Sequence, residues 1–405
     1  MTRKHHWLRS FVVIYIGQTF SIVGSAAVQF AILWYLTIKT GSANTLALAS
    51  VAGLLPQALL GIFAGVWVDR MSRKKVMIYA DLFVALASGI LGVLLLLGEP
   101  PTYVFYIILF FRALGSVFHG PAMQAAIPML VPPEMIMKAG GWGQFVQSGA
   151  LMAGPVLGAA LMAAFELPAV ILVDVIGAII AVATVAAVRI PDPPKSHEKP
   201  HVWHELGEGW RALRHNRKLF KVCWPILAAC IIYVPVGSLF PLMVNGHFGG
   251  TAWHSSLVEL LFAGGMLLSS MFIGILGGEK RRFFMISLAI GALGVFIGVS
   301  GLLPSAAFWF FAVLSCLMGA AGNFFSVPFI TYIQATVVPE KLGRVLSLAT
   351  SAMSLATPVG LFIAGPLAEK VGVNTWFMAS GVVLVIIGLV CRAITRNFDR
   401  TEMTE

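Results

Sequence analysis

The sequence predicts an all-α polytopic membrane protein with 12 transmembrane helices in two six-helix halves, and three observations lead there. The chain of 405 residues is 59% hydrophobic and only 11% charged, whereas soluble domains carry roughly a quarter charged residues. Its apolar residues gather into about twelve runs, each near the about 20 residues that a helix needs to cross about 30 Å of hydrocarbon. The longest polar stretch, from Arg189 to Lys221, falls at the middle of the chain.

The first six runs cover 10–36, 45–68, 75–98, 102–126, 139–164 and 167–188. The second six cover 221–245, 255–278, 283–303, 306–333, 343–368 and 373–394. Helix is dictated by the solvent, because lipid offers no partners to an exposed backbone. Arg3, Lys4 and Arg9 lead into a first run too long for a signal-peptide core and without an A-x-A site, so that run reads as a first span. The positive charge has a side. Of 27 Lys and Arg residues, 24 fall at the termini and in alternate loops, whereas Lys39 and Lys370 are on the other side and Arg112 is inside a span. The positive-inside rule makes the rich side cytoplasmic, with both termini there. The net charge of +10 is thus a topology signal and implies no nucleic-acid partner. Cys223, Cys230, Cys316 and Cys391 are scattered through apolar runs without a CxxC pair, which excludes a disulfide framework or a zinc site.

The central stretch opens with Pro191, Pro193 and Pro194, then places Trp203, Leu206, Trp210, Leu213 and Phe220 among charges at helical spacing. That pattern predicts an amphipathic helix lying on the inner leaflet. The expected domains are therefore an N-terminal bundle at 1–188, a cytoplasmic linker at 189–220 and a C-terminal bundle at 221–405. Pro121 and Pro133-Glu134 recur as Pro328 and Pro339-Glu340, and Gly140 and Pro155 recur as Gly343 and Pro358. Duplicated bundles of this kind carry a small-molecule site near mid-membrane where the repeats meet, and access is switched by rocking.

Four groups of residues could carry function. The loop after the second span reads Gly65-Val66-Trp67-Val68-Asp69-Arg70-Met71-Ser72-Arg73-Lys74-Lys75. Its acid can hold a helix N-terminus or an arginine, and Gly343-Arg344 at the start of span eleven is the expected partner. Arg112 is about ten residues into span four, roughly 15 Å deep by helical rise, where a charge is costly and signals function. The acids that could pair with it or carry protons are Asp81, Asp174 and Glu259, and Glu259 is the first choice for facing a cavity or a cationic substrate. Span five contains Ala150, Gly154, Pro155 and Gly158, a proline kink flanked by glycines that admit a neighbouring backbone. His119 and Asn323 are polar residues inside spans and candidate cavity-lining groups. Gly61-x-x-x-Gly65 and Gly294-x-x-x-Gly298 read as helix contacts, and His5, His6, His201 and His204 lack the further ligands of a metal site.

These motifs resemble the major facilitator superfamily, whose signature loop is G-x-L-x-D-R-x-G-R-K, with Trp67 and Ser72 as departures here. Ile108-Leu109-Phe110-Phe111-Arg112-Ala113-Leu114-Gly115 resembles its fourth-span motif, which implies a proton-coupling role for Arg112, although Gly115-Ser116 stand where Gln-Gly is usual. The span-five segment resembles the antiporter motif g-x-x-x-G-P-x-x-G, which goes with exporters. The chain is similar throughout to the macrolide-efflux group of the drug:proton antiporter branch, notably at 35–43, 68–82, 112–121, 188–191, 247–250, 342–348, 353–361 and 372–377. The resemblance implies the major facilitator fold, in which spans three and six are usually peripheral, and proton-driven efflux of amphiphilic compounds. Lipid or siderophore export on the same fold is the competing expectation. No nucleophile with a base, paired acids or metal cluster points to an enzyme. No Walker A sequence is present, so any ATPase contribution comes from a separate partner, and a monomer without cofactor, acting on small molecules in contact with protons and membrane lipid, is expected. A contact of Asp69 with Gly343-Arg344 would latch the cytoplasmic side shut while the outside is open, so Asp69→Asn is expected to abolish transport while expression stays intact; near-normal transport would remove that latch role.

Overall fold

A computed structural model describes residues 6–68, 71–132, 135–191, 207, 210–211, 213–276, 282–337, 339–396 and 398. Twelve helices among them are long and apolar enough to cross a membrane, so the expected fold class is found. They are α1 (His6–Thr40), α2 (Ala43–Val68), α3 (Arg73–Leu97), α4 (Thr102–Leu130), α5 (Ile136–Ala164) and α6 (Leu167–Ala187), followed by α7 (Arg217–Ser238), α8 (Ala252–Leu276), α9 (Arg282–Leu302), α10 (Phe308–Thr336), α11 (Pro339–Val371) and α12 (Val373–Thr395). Large apolar side chains such as Leu86, Leu268, Phe310 and Leu389 are more than half exposed. On a soluble protein such a surface would aggregate; on spanning helices it faces hydrocarbon.

Backbone proximity divides the chain into two compact units, one of residues 1–39 and 52–200, the other of residues 40–51 and 201–405. Within the first unit α3 packs on α4 and α6; within the second, α9 packs on α10 and α12. The third helix of each set of six thus takes the fourth and sixth as neighbours, as a duplicated bundle requires. Small residues set how near these helices come. In the first unit a Cβ on Gly158 would be 2.6 Å from the carbonyl oxygen of Ala27, and one on Gly154 would be 2.5 Å from the Ala26 methyl. The backbone of α5 therefore lies directly on α1, next to Pro155 inside α5. In the second unit a Cβ on Gly294 would be 2.7 Å from the carbonyl oxygen of Gly381, which joins α9 to α12.

The seventh span departs from the single run expected at 221–245. Its α-helix stops at Ser238, a turn follows at Phe240–Leu242, and a π-helical turn occupies Met243–His247. Pro225 and Pro235 are inside α7 and Pro241 is in the turn. Each proline removes a backbone donor and crowds the preceding turn, and insertion of a π turn is one way for a helix to absorb that mismatch. Hydropathy is blind to this break, because proline and its neighbours keep the run apolar.

In the central linker, residues 207, 210–211 and 213–215 are helical, whereas Trp203 and Leu206 are outside the described residues. The helix gives way at Asn216, whose side-chain oxygen caps α7 by accepting from the Leu219 N–H at 3.1 Å. Phe220, read from sequence as part of the amphipathic run, is therefore on α7, and it meets Trp210 edge-on with ring centroids 5.8 Å apart.

The α1–α5 contact yields a clear expectation. Gly158→Leu forces a side chain into the Ala27 carbonyl and should cost about 1–3 kcal/mol by overpacking, visible as a lower thermal midpoint of the detergent-purified protein. Gly149→Ala, where a Cβ meets nothing within 4 Å, should leave that midpoint unchanged.

Candidate functional site

Arg112 and Asp174 form an ion pair inside the first unit, with Nη2 2.8 Å from Oδ2 and side chains 6% and 1% exposed. By helical rise, Arg112 is about 15 Å along α4 and Asp174 about 10 Å along α6, so the pair is within the span. Isolated charges at that depth are costly, and pairing with further hydrogen bonds offsets the cost. The further bonds are present. The Ser25 and Ser88 hydroxyls both donate to the Asp174 carboxylate. Arg112 donates to the Ser25 carbonyl at 3.3 Å and to the Gln29 side-chain oxygen at 3.5 Å. Its Nε has no hydrogen-bond partner among the described residues. Four helices, α1, α3, α4 and α6, therefore converge on one carboxylate–guanidinium pair.

A second polar layer is formed by the same three helices that carry Ser25, Ser88 and Arg112. Gln18 on α1 donates to Asp81 on α3 at 3.2 Å, and His119 Nε2 on α4 is 3.5 Å from the other Asp81 oxygen. That separation brings a protonated imidazole within ion-pair reach, although the alignment does not make a hydrogen bond. Gln18 and Ser25, Asp81 and Ser88, and Arg112 and His119 are each seven residues apart. Seven residues are close to two helical turns, about 10 Å of rise along one face. The two layers are therefore stacked rungs of one polar ladder in an otherwise apolar bundle.

In the second unit Glu259 is half-buried on α8, and among the described residues no hydrogen bond or ion pair reaches its carboxylate. Asn323 ties α10 to α8, its amide donating to the Met266 carbonyl at 2.7 Å and to the Ser270 hydroxyl at 2.8 Å.

The signature loop is described in part. Asp69 and Arg70 are outside the described residues, as are His5, His201 and His204, whereas His6 is placed as helical backbone at the start of α1. Gly65 and Arg344 are placed as helical backbone in α2 and α11. Lys74 donates to the carbonyl oxygens of Ala186 at 2.7 Å and Val188 at 2.8 Å. A lysine here satisfies the orphan carbonyls at the end of α6 and meets the negative end of its dipole. In the span-five motif Ala150, Gly154, Pro155 and Gly158 are all buried on α5, and the glycines bear on the stretch of α1 that carries Ser25 and Gln29.

Sequence reading singled out Arg112, Asp81, Asp174 and His119, and the structure joins them pairwise, Arg112 with Asp174 and His119 with Asp81. It overlooked Gln18, Ser25, Gln29 and Ser88. The seven-residue repeat of polar positions on three apolar helices is the signal that would have found Gln18, Ser25 and Ser88, and Gln29 is one turn beyond Ser25 on α1.

The Major Facilitator Superfamily model matches residues 14–258 and 231–401. Macrolide efflux protein A of Streptococcus pyogenes is 41% identical over 397 residues, covering 97% of this chain and 98% of that protein. Multidrug efflux pump Tap of Mycolicibacterium fortuitum is 25% identical over 386 residues, covering 92% of each. The crystal structure of the nucleoside transporter NupG has the same fold, with a TM-score of 0.74 at 11% identity over 95% of this chain and 98% of that one. With twelve spanning helices and matches along its whole length, the chain belongs to the Major Facilitator Superfamily and is a multi-pass membrane transporter rather than an enzyme.

Proposed function

We propose that this transporter exports hydrophobic or amphiphilic small molecules of the macrolide type and is driven by the proton gradient. It would sit in the bacterial inner membrane with both termini cytoplasmic and expose its substrate path to one face at a time. The observation that carries proton coupling is the buried Arg112–Asp174 pair with its serine ring. Macrolide export is supported by 41% identity, over nearly the whole chain, to a protein named for it.

The chemistry follows from charge balance. With Asp174 ionised, Arg112 is held by carboxylate, Ser25 carbonyl and Gln29. A proton taken up by Asp174 removes the counter-charge. The guanidinium then has to find other acceptors on α1 or elsewhere, which shifts α4 against α1 and α6. His119 and Asp81, two turns away, give the proton a second acidic station on the same helices. The unpartnered Glu259 is a candidate counter-charge for a cationic substrate. Asp69, Arg70, Arg73 and Arg344 are proposed to govern closure at the end of the bundle where Lys74 grips α6.

Inverted membrane vesicles energised by respiration and offered a panel of labelled macrolides test the reading directly. Accumulation should exceed that of vesicles lacking the protein and should collapse when an uncoupler is added. Uptake that ignores the uncoupler would remove proton coupling, and no uptake of any macrolide would remove the substrate class.

Arg112→Ala should strand a buried carboxylate and lower stability by about 3–5 kcal/mol. The paired replacement Arg112→Met with Asp174→Leu should recover much of that thermal stability. It should not recover uphill transport, while downhill counterflow of substrate persists. Restored uphill accumulation in the double variant would show the pair to be structural.

A further inference from the structure

An apolar cavity opens in the second unit under the central linker, at the end of the bundle where α7 begins. Its walls come from the linker helix, α7, α10 and α11, and include Trp210, Leu213, Phe220, Trp224, Phe329 and Met353. Its space is about 500 Å³ when the open mouth is counted. No lining side chain carries a charge. The rim is different. From the linker helix into α7 the sequence has Arg211, Arg214, Arg217, Lys218 and Lys221, preceded by Glu205 and Glu208. Arg211, Arg214, Arg217 and Lys221 are exposed.

The geometry of α7 links the rim to the cavity. Arg217, Lys221 and Trp224 follow each other at spacings of four and three, so they share one face of the helix. Trp224, 56% exposed, is the wall residue on that face. From Arg217 to Leu227, the deepest wall residue on α7, the helix rises about 15 Å. That is about the hydrocarbon depth of one leaflet, half of about 30 Å. Trp210, 44% exposed at the mouth, is a tryptophan at the level where spanning helices end and where such side chains anchor to the headgroup zone.

We propose that this cavity is a binding site for an anionic phospholipid of the adjoining leaflet. One acyl chain lies between the linker helix and α7, α10 and α11, and the phosphate rests on Arg214, Arg217 and Lys221. The charge pattern selects this occupant. An uncharged amphiphile would gain nothing from the exposed bases Arg211, Arg214, Arg217 and Lys221, and a soluble anion would gain nothing from a wall of tryptophan, phenylalanine and leucine. The site is separate from the buried ladder of the first unit and does not depend on what the transporter exports.

The test uses the full-length protein in bilayers doped with phosphatidylglycerol or phosphatidylcholine carrying the same photoreactive group at mid-chain, with labelled peptides mapped by mass spectrometry. Labelling at the lipid-facing residues Leu86 and Val93 of α3 serves as the reference for ordinary boundary lipid. The phosphatidylglycerol probe should label Phe220–Leu227 and the Phe329 segment several-fold above that reference, and the phosphatidylcholine probe should not. Charge reversal at Arg214, Arg217 and Lys221 should bring the anionic probe down to the reference, a loss of roughly fivefold or more for each base removed. Ala352→Phe, which fills the cavity and leaves the rim intact, should cut labelling there without changing it on α3. Equal labelling by the two probes, indifference to both sets of substitutions, or displacement of the label by a macrolide but not by excess phosphatidylglycerol would overturn the proposal.

Discussion

Charge in hydrocarbon is the constraint around which the first unit is organised. An arginine and an aspartate are both more than nine-tenths buried within the span, and their coexistence requires that nearly every polar atom around them be matched. Two serine hydroxyls, a backbone carbonyl and a glutamine amide supply the matches, from helices whose register these bonds require. Close packing of α5 on α1 through Gly154 and Gly158 steadies the helix that supplies Ser25 and Gln29. Small residues and buried charges are thus two aspects of one arrangement: glycines bring the backbones near, and nearness lets short hydroxyl side chains reach the carboxylate.

The number and order of the helices were legible in the sequence, because twelve apolar runs of spanning length leave lipid as the only consistent solvent. The internal break of the seventh span was not. Proline interrupts hydrogen bonding while the aliphatic residues around it keep the stretch apolar, so 221–245 reads as one run while the chain makes an α-helix, a turn and a π turn. The linker was half legible. Its aromatic spacing implied a helix, but the capping bond of Asn216 divides the pattern and assigns Phe220 to α7.

The site shows the same division. Arg112 announced itself as a base far from either end of its span, and Asp81 and Asp174 as rare acids within spans. Which acid meets which base was beyond the sequence, since Arg112 and Asp174 are 62 residues apart and on helices whose adjacency is a matter of tertiary packing. Serine and glutamine gave no warning singly, because a lone hydroxyl in a spanning helix usually bonds back to its own backbone. Thr19, Thr37 and Ser116 do so here. Only the two-turn spacing shared by three helices distinguishes Gln18, Ser25 and Ser88 from that background.

The grip of Lys74 on the end of α6 has a mechanical meaning. One helix contains both the carboxylate of Asp174 and, twelve residues further on, the carbonyl of Ala186 that Lys74 holds. A helix of that length is a stiff strut of about 18 Å. Axial sliding or rotation that relaxes the charged centre therefore tugs on the lysine next to Arg73 in the signature loop, and a pull on that loop is felt at the carboxylate. Rigid hydrogen-bonded backbone, with no intervening chain of side chains, joins the two ends.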